Sequence, residues 1–313
     1  MRKKIIVDIC GADAAPEVIA RGAAMALKDQ DEYDLVMVGP EGVIKAALDS
    51  EALARVEIIN ADEYVTNYDD PREMIKGRNG TSMVKALDAL KAREDIAGMV
   101  SAGSTGCLMV GSIFHLGLMG KLLQPALSSA LYSINGGYVC LVDCGANINC
   151  KVKDMVAWAR MGSAFMEAMN GVDSPKVGLI NVGREKGKGT DLIKEAYEAL
   201  EQDEGINFIG NIEGNDCLMG IADVIVCDGF TGNVLLKNME ACGLIAARMM
   251  GDPENVVKFF DYNSQGGATF LGTRKIIVKA HGAANESTIS ACINQVWKME
   301  KGGFTEKLAA RMS

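Results

Sequence analysis

Hydrophobic and polar positions along this chain repeat one cycle. A short apolar run ends at Gly, Asp or Asn, a loop of small residues follows, and helical apolar spacing then takes over. The runs lie at 5–8, 34–39, 56–60, 99–103, 138–143, 177–182, 206–210, 224–228 and 276–281. Most are continuously apolar rather than alternating, so they read as strands covered on both faces. Strands that alternate with helices predict an α/β fold, with a mostly parallel, twisted sheet and helices on both faces. The loops leaving those strands collect along one edge of the sheet, where open α/β sheets bind ligands.

The stretch 223–236, D-V-I-V-C-D-G-F-T-G-N-V-L-L, shows the cycle in compressed form. Val224, Ile225 and Val226 make the strand and Asp228 and Gly229 break it; Leu235, Leu236 and Met239 belong to an amphipathic helix that runs to about Met250. Asn233 then either points into a cleft beside Gly229 and Gly232 or caps the helix. After the first strand, Pro16 and Glu17 suit a first helical turn, with Ile19, Ala23 and Leu27 at helical spacing. The uncharged stretch 96–120 has the length of a membrane span. Its six glycines, three serines, Thr105 and His115 suit a strand, a glycine loop and a buried helix better, with His115 a core histidine bonded to backbone.

Length and charge narrow the picture. A chain of 313 residues can form one large α/β domain, 1–313, or two closely coupled lobes. The net charge of −9 argues against a general nucleic-acid binder but leaves room for a small anionic ligand, since a local cluster of cations can override the global sign. Nine cysteines, an odd number without CxxC spacing, argue against a disulfide framework and a zinc site and read as buried free thiols. Asp8 ends the first apolar run too early for a signal peptide, so a cytoplasmic location is expected.

The candidate chemistry sits in the strand-end loops. Ser101-Ala102-Gly103-Ser104-Thr105-Gly106 offers small residues and hydroxyls at a helix start, without the Gly-Lys-Ser/Thr of a Walker loop or a GxGxxG pattern. Residues 143–151 form a similar break containing Asn147. The loop 181–190 carries Arg184, Lys186 and Lys188 among three glycines, a setting that can meet an anion or simply be solvated. The polar segment 69–83, with Lys76 and Arg78, reads as a cationic loop over an anion site or as a surface connection. His281, at a strand end beside Gly282, is a candidate acid, base or anion donor. Together these loops favour transfer chemistry on an anion over hydrolysis by paired acids; no cluster has metal-ligand spacing, and no cofactor is expected.

Several motifs, in one order from first strand to last helix, resemble the PlsX-type phosphate acyltransferases. They are Val7-Asp8 with Gly11-x-Asp13-x-Ala15-Pro16-Glu17, Ser101-Ala102-Gly103-x-Thr105-Gly106, Asp143-x-Gly145-Ala146-Asn147 and Lys188-Gly189. Asn207-Phe208-Ile209-Gly210-Asn211-x-Glu213-Gly214, Asp228-Gly229-Phe230-Thr231-Gly232-Asn233, Gly266-Gly267-Ala268 and Lys279-Ala280-His281-Gly282 complete the set. The resemblance implies a doubly wound, three-layer αβα fold like that of isopropylmalate dehydrogenase, a homodimer, and transfer of a fatty acyl group from acyl carrier protein to inorganic phosphate. The acyl phosphate would feed phospholipid synthesis.

By the same resemblance Lys188, Asn233 and His281 are the catalytic candidates, and Asp8, Gly11, Asp13, Ser104, Thr105, Gly106, Asn147, Thr231, Gly232 and Lys279 bind substrate or phosphate. Lys76 and Arg78 are candidate contacts to the carrier protein. Lys188 would neutralise phosphate while Asn233 or His281 donates to the thioester oxyanion, a donor worth roughly 3–4 kcal/mol. The chain departs from the pattern at Ala12, at Ser104, in the thinned basic stretch before Met83, at Ala283-Ala284-Asn285, and in a short connection from Met250 to Asp261. The short connection replaces a helical hairpin associated with membrane contact and cover of the acyl site, so a shorter acyl group or another thioester carrier is in view. The rival readings are a subunit of a related acyl-phosphate-forming system and a catalytically weakened paralogue that binds an acyl carrier.

Overall fold

The computed structural model describes residues 2–312 apart from 29, 76, 121, 123 and 251–265. Lys76 and all but Met250 of the 250–261 connection lie outside the described residues. The chain opens with β1 (Lys3–Asp8), α1 (Pro16–Met25), β2 (Tyr33–Gly39), α2 (Glu41–Ala47), α3 (Ser50–Leu53), β3 (Val56–Asn60), α4 (Ser82–Ala92), β4 (Ile96–Ser101) and α5 (Thr105–Leu116). It continues through β5 (Ala126–Tyr132), β6 (Tyr138–Val142), α6 (Val152–Asn170), β7 (Lys176–Ile180), α7 (Asp191–Glu201), β8 (Asn207–Ile212), β9 (Val224–Val226) and α8 (Gly229–Met250). It closes with β10 (Ala268–Leu271), β11 (Ile276–Lys279), α9 (Glu286–Lys301) and α10 (Phe304–Met312).

Two compact units result, Met1–Leu118 with Asn263–Glu300 and Met119–Tyr262 with Lys301–Ser313. In the first, the strand order is β3-β2-β1-β4-β11-β10, parallel except that β10 runs against β11. The chain leaves β1 for β2 on one side and returns with β4 on the other, so the carboxyl ends of β1 and β4 flank a topological switch point. In the second unit the order is β5-β6-β9-β7-β8, parallel except for β5 against β6.

Both units are built as the apolar runs dictate. Ile5, Ile6 and Val7 of β1 and Val224, Ile225 and Val226 of β9 are wholly buried, as strands sandwiched between helices must be. Pro16 opens α1, whose Ile19, Ala20 and Ala23 face inward. All nine apolar runs form strands; the run at 99–103 begins earlier, at Ile96, and stops at Ser101.

Two strands escape the sequence reading, β5 and β10, and both are antiparallel to their successors. They join the next strand by a short turn, so no helix follows to complete the cycle, and β5 carries buried Ser128 and Ser129 inside its run. Seven of the nine free cysteines are buried as expected, while Cys150 is half-buried and Cys242 exposed. His115 lies at the half-buried edge of α5 rather than in the core: Nδ1 meets the Asp88 carboxylate at 2.7 Å and Nε2 the Met74 carbonyl at 3.4 Å. Among the described residues no helix is long and apolar enough to cross a membrane.

Candidate active site

In the first unit, parallel pairing places Asp8, Ser101 and Lys279 in one row at the carboxyl ends of β1, β4 and β11. Asp8 is 1% exposed and accepts the Ser101 hydroxyl at 2.9 Å and the Cys10 N–H at 3.3 Å. Burial pushes its carboxyl up to about 6 against the pull of these bonds and of the Ser82 hydroxyl. Lys279 is also buried, and its Nζ donates to the carbonyls of Ala102 and Ala280. Burial lowers the Lys279 ammonium to about 8, opposed by Cys292 and by the charge of Asp13.

The loops above this row are packed closely. Gly11 has φ +75°, and a Cβ there would stand 2.5 Å from the Val65 carbonyl, so only glycine fits. The Asp13 N–H donates to the Gly282 carbonyl at 2.9 Å, which ties the β1 loop to the loop carrying His281. Ser104 caps α5 by accepting the Cys107 N–H at 3.5 Å, with Thr105 and Gly106 half-buried in the first turn. His281 is exposed, and its Nδ1 accepts the Ala283 N–H at 3.2 Å. That bond assigns the ring proton of the neutral imidazole to Nε2, which can donate.

In the second unit, Asp143 follows β6 across a cis Val142–Asp143 peptide and is fully buried. Its carboxylate accepts the N–H groups of Leu127 (3.1 Å), Ala146 (3.1 Å) and Asn147 (2.6 Å) and the Asn147 side-chain amide (2.8 Å). Burial pushes this carboxyl up, and those donors oppose the shift. Asn147 spends its Nδ2 on Asp143 and on the Pro125 carbonyl at 3.0 Å, so its amide braces the loop. The loop packs on the start of α8: a Cβ on Gly229 would approach the Asn147 carbonyl to 2.7 Å, and one on Gly232 would overlap the Asp143 carbonyl.

Asp228, rather than Asn233, takes the start of α8, because its carboxylate accepts the Thr231 N–H at 2.9 Å and hydroxyl at 2.7 Å. The capping reading of Asn233 is therefore corrected: it stands inside the helix, exposed, and its side chain makes no hydrogen bond among the described residues. A Cβ on Gly145 would lie 3.5 Å from the Asn233 side chain, so the 143–147 loop borders it.

The loop after β7 sorts its three cations. Arg184 pairs with Asp216 at 2.7 Å, and Lys186 with Glu201 at 2.5 Å over the Tyr197 ring. Lys188 is exposed and has no carboxylate partner among the described residues. Arg78 is different, being held by Asp69 and Glu73 at 2.5 Å each, so its charge is already met within its own loop. Ser101 and Asp143 are not among the candidate site residues read from the sequence, although each closes an apolar run and opens a motif of the resemblance.

The described residues hold no group of three or more His, Cys, Asp or Glu able to bind a metal. The model of the family described as "Fatty acid synthesis protein" matches residues 3–258. A phosphate acyltransferase of Bacillus cereus (strain G9842) is 37% identical over 314 residues, covering 95% of this chain and 94% of that protein. Among solved structures, a phosphotransacetylase from Streptococcus pyogenes is similar with a TM-score of 0.66 and 17% identity, over 95% of this chain and 94% of that one. The EutD phosphotransacetylase from Staphylococcus aureus has a TM-score of 0.63 and 15% identity, over 98% of this chain and 94% of that one. At such identities these two share the fold.

Proposed function

Since the chain belongs to the fatty acid synthesis protein family, we propose that it is a phosphate acyltransferase, forming acyl phosphate from an acyl thioester and inorganic phosphate. A phosphate oxygen attacks the thioester carbonyl, the C–S bond breaks, and the thiol leaves with a proton. Phosphate is a weak nucleophile that needs a cation to hold it, and the carbonyl oxygen needs a donor as charge develops. In the second unit Lys188 is the candidate cation and Asn233 a candidate donor; in the first, the Nε2–H of His281 is the alternative donor. The observation that carries the reading is the charge of Lys188, unmatched among the described residues, beside two ion-paired neighbours. Asp8, Gly11, Asp13, Ser104, Thr105, Gly106 and Lys279 are the substrate-binding candidates of the first unit, and Asn147, Thr231 and Gly232 those of the second, where Asn147 holds the Pro125 carbonyl and Thr231 the Asp228 carboxylate.

The acyl donor is an acyl carrier protein or another thioester carrier, and the acyl phosphate serves phospholipid synthesis in the cytoplasm. A homodimer fits the exposed apolar side of α8, where Phe230, Val234, Ile245 and Met249 face solvent. Phosphate-dependent release of thiol from short and long acyl thioesters, on carrier protein and on coenzyme A, tests the reaction. Turnover confined to one carrier and chain length names the substrate; none with any of them overturns the reading. Sedimentation as a monomer at micromolar concentration would remove the dimer.

A further inference from the structure

The turn that carries Lys188 is fastened by two amide side chains, one from β8 and one from the residue that follows β7. The Lys188 N–H closes the turn on the Glu185 carbonyl at 3.1 Å. Asn211, in β8, donates its Nδ2 to the same carbonyl at 3.0 Å. Asn181, the residue after β7, donates its Nδ2 to the Lys188 carbonyl at 3.1 Å. The first and last carbonyls of Glu185-Lys186-Gly187-Lys188 are thus both held from the sheet edge. Asn181 is itself set by its N–H on the Ile212 carbonyl at 2.8 Å and by its Oδ1 accepting the Val182 N–H at 2.8 Å. Gly189, at φ +91°, lets the chain pass, since a Cβ there would come within 2.7 Å of Asn181 Oδ1.

This is more than loop packing. The ion pairs of Arg184 and Lys186 are made by long, exposed side chains and define the backbone weakly. An Asn side chain has few rotatable bonds, so a bond from it fixes a carbonyl in place. Asn211 is 6% exposed and its Oδ1 has no partner among the described residues, an arrangement that destabilises a fold and is rare in native proteins. What it provides in return is the donor to Glu185. The backbone held in this way bears the cation its loop leaves unmatched.

We propose that Asn181 and Asn211 are positioning residues for the acyl transfer, holding the Glu185–Lys188 turn so that the Lys188 ammonium stands where phosphate is bound. The inference rests on the reading of Lys188 as the phosphate cation. Its test is a set of variants, Asn181→Ala and Asn211→Ala, each alone and combined with Lys188→Ala. They are assayed with inorganic phosphate and the thioester of the panel that turns over fastest. Each Asn variant is expected to lower kcat/KM for phosphate about 10- to 100-fold, as displacements of about 1 Å do. The KM for the thioester stays within about twofold.

In the Lys188→Ala background neither Asn variant costs anything further, because groups acting through one another are not additive. Backbone amides of 183–190 exchange hydrogen faster in both Asn variants while the thermal midpoint holds. Additive losses, a thioester KM that rises as much as the KM for phosphate, or unchanged exchange at 183–190 would overturn the inference alone. Full turnover by Lys188→Ala, or no turnover of any thioester by the unmodified protein, would overturn the reading of the site and this inference with it.

Discussion

Asp8 and Asp143 hold equivalent places in their two units, each at the carboxyl end of a buried parallel strand and each closed to water. They are held by different chemistry. Asp8 is met by hydroxyls and one backbone N–H, whereas Asp143 receives four bonds, all from N–H groups. A hydroxyl can turn and accept when the carboxyl gains a proton; an N–H cannot. The first unit therefore carries a carboxyl that can titrate in place, with a buried cation, Lys279, in the same row. The second carries a fixed anionic brace, and its proposed catalytic groups, Lys188 and Asn233, are exposed.

The sharpest way to break this comparison is to make both aspartates neutral without changing their shape. Asp143→Asn sets an NH2 against N–H donors and is expected to lower the unfolding free energy by about 3–5 kcal/mol in urea denaturation. Asp8→Asn keeps partners that can reverse and is expected to be neutral or stabilising at pH 7. The sign follows from its raised carboxyl: stability present below pH 3.8 is lost as pH rises through about 6. Wild type and Asp8→Asn should then match near pH 4 and diverge toward pH 7, by about 1–3 kcal/mol in favour of the variant. Equal losses in the two variants would show that both carboxylates are braces.

The contrast between exposed and buried cations gives the next effect. Lys188→Ala should reduce phosphate-dependent turnover by about 10²–10³-fold, with the thermal midpoint unmoved because the side chain is exposed. Lys279 is expected to act on stability instead. Its ammonium is lowered to about 8, so stability present above pH 10.5 is lost as pH falls through 8. Thermal melts between pH 8 and 10.5 should show wild type gaining on Lys279→Met as pH rises; parallel curves would mean that burial does not strain the ammonium. The smallest effect is expected at Arg78, whose charge Asp69 and Glu73 already meet. Arg78→Ala should change the KM for a carrier-borne thioester by less than about twofold, and a larger rise would establish a carrier contact there.

Much of this was legible beforehand, and the exceptions share a cause. Parallel strands were readable because burial on both faces forces a continuous apolar run and a helix must follow. The antiparallel β5 and β10 were not, since a hairpin needs no helix. Among the candidate site residues, Gly11 and Gly232 were singled out by the resemblance as binding groups, and the structure shows a packing reason for glycine at both, since a side chain would collide with backbone. Thr231, Asn147 and Arg78 look in the sequence like ligand-binding groups, yet each is engaged by its own neighbourhood. Asn211 stands in one of the motifs of the resemblance without a role assigned to it, and its partner is a carbonyl 26 positions away.

The sequence by itself determined the strand-and-helix cycle, the edge on which the loops gather, and the family, because these depend on local periodicity and on motifs in order along the chain. Only the tertiary structure decided the row of Asp8, Ser101 and Lys279, which register between distant strands creates. It alone decided which polar groups are used up inside the protein and which, like Lys188, are left over. A donor or a charge is spent or free according to what stands within about 3 Å of it, and that neighbour is seldom near in sequence.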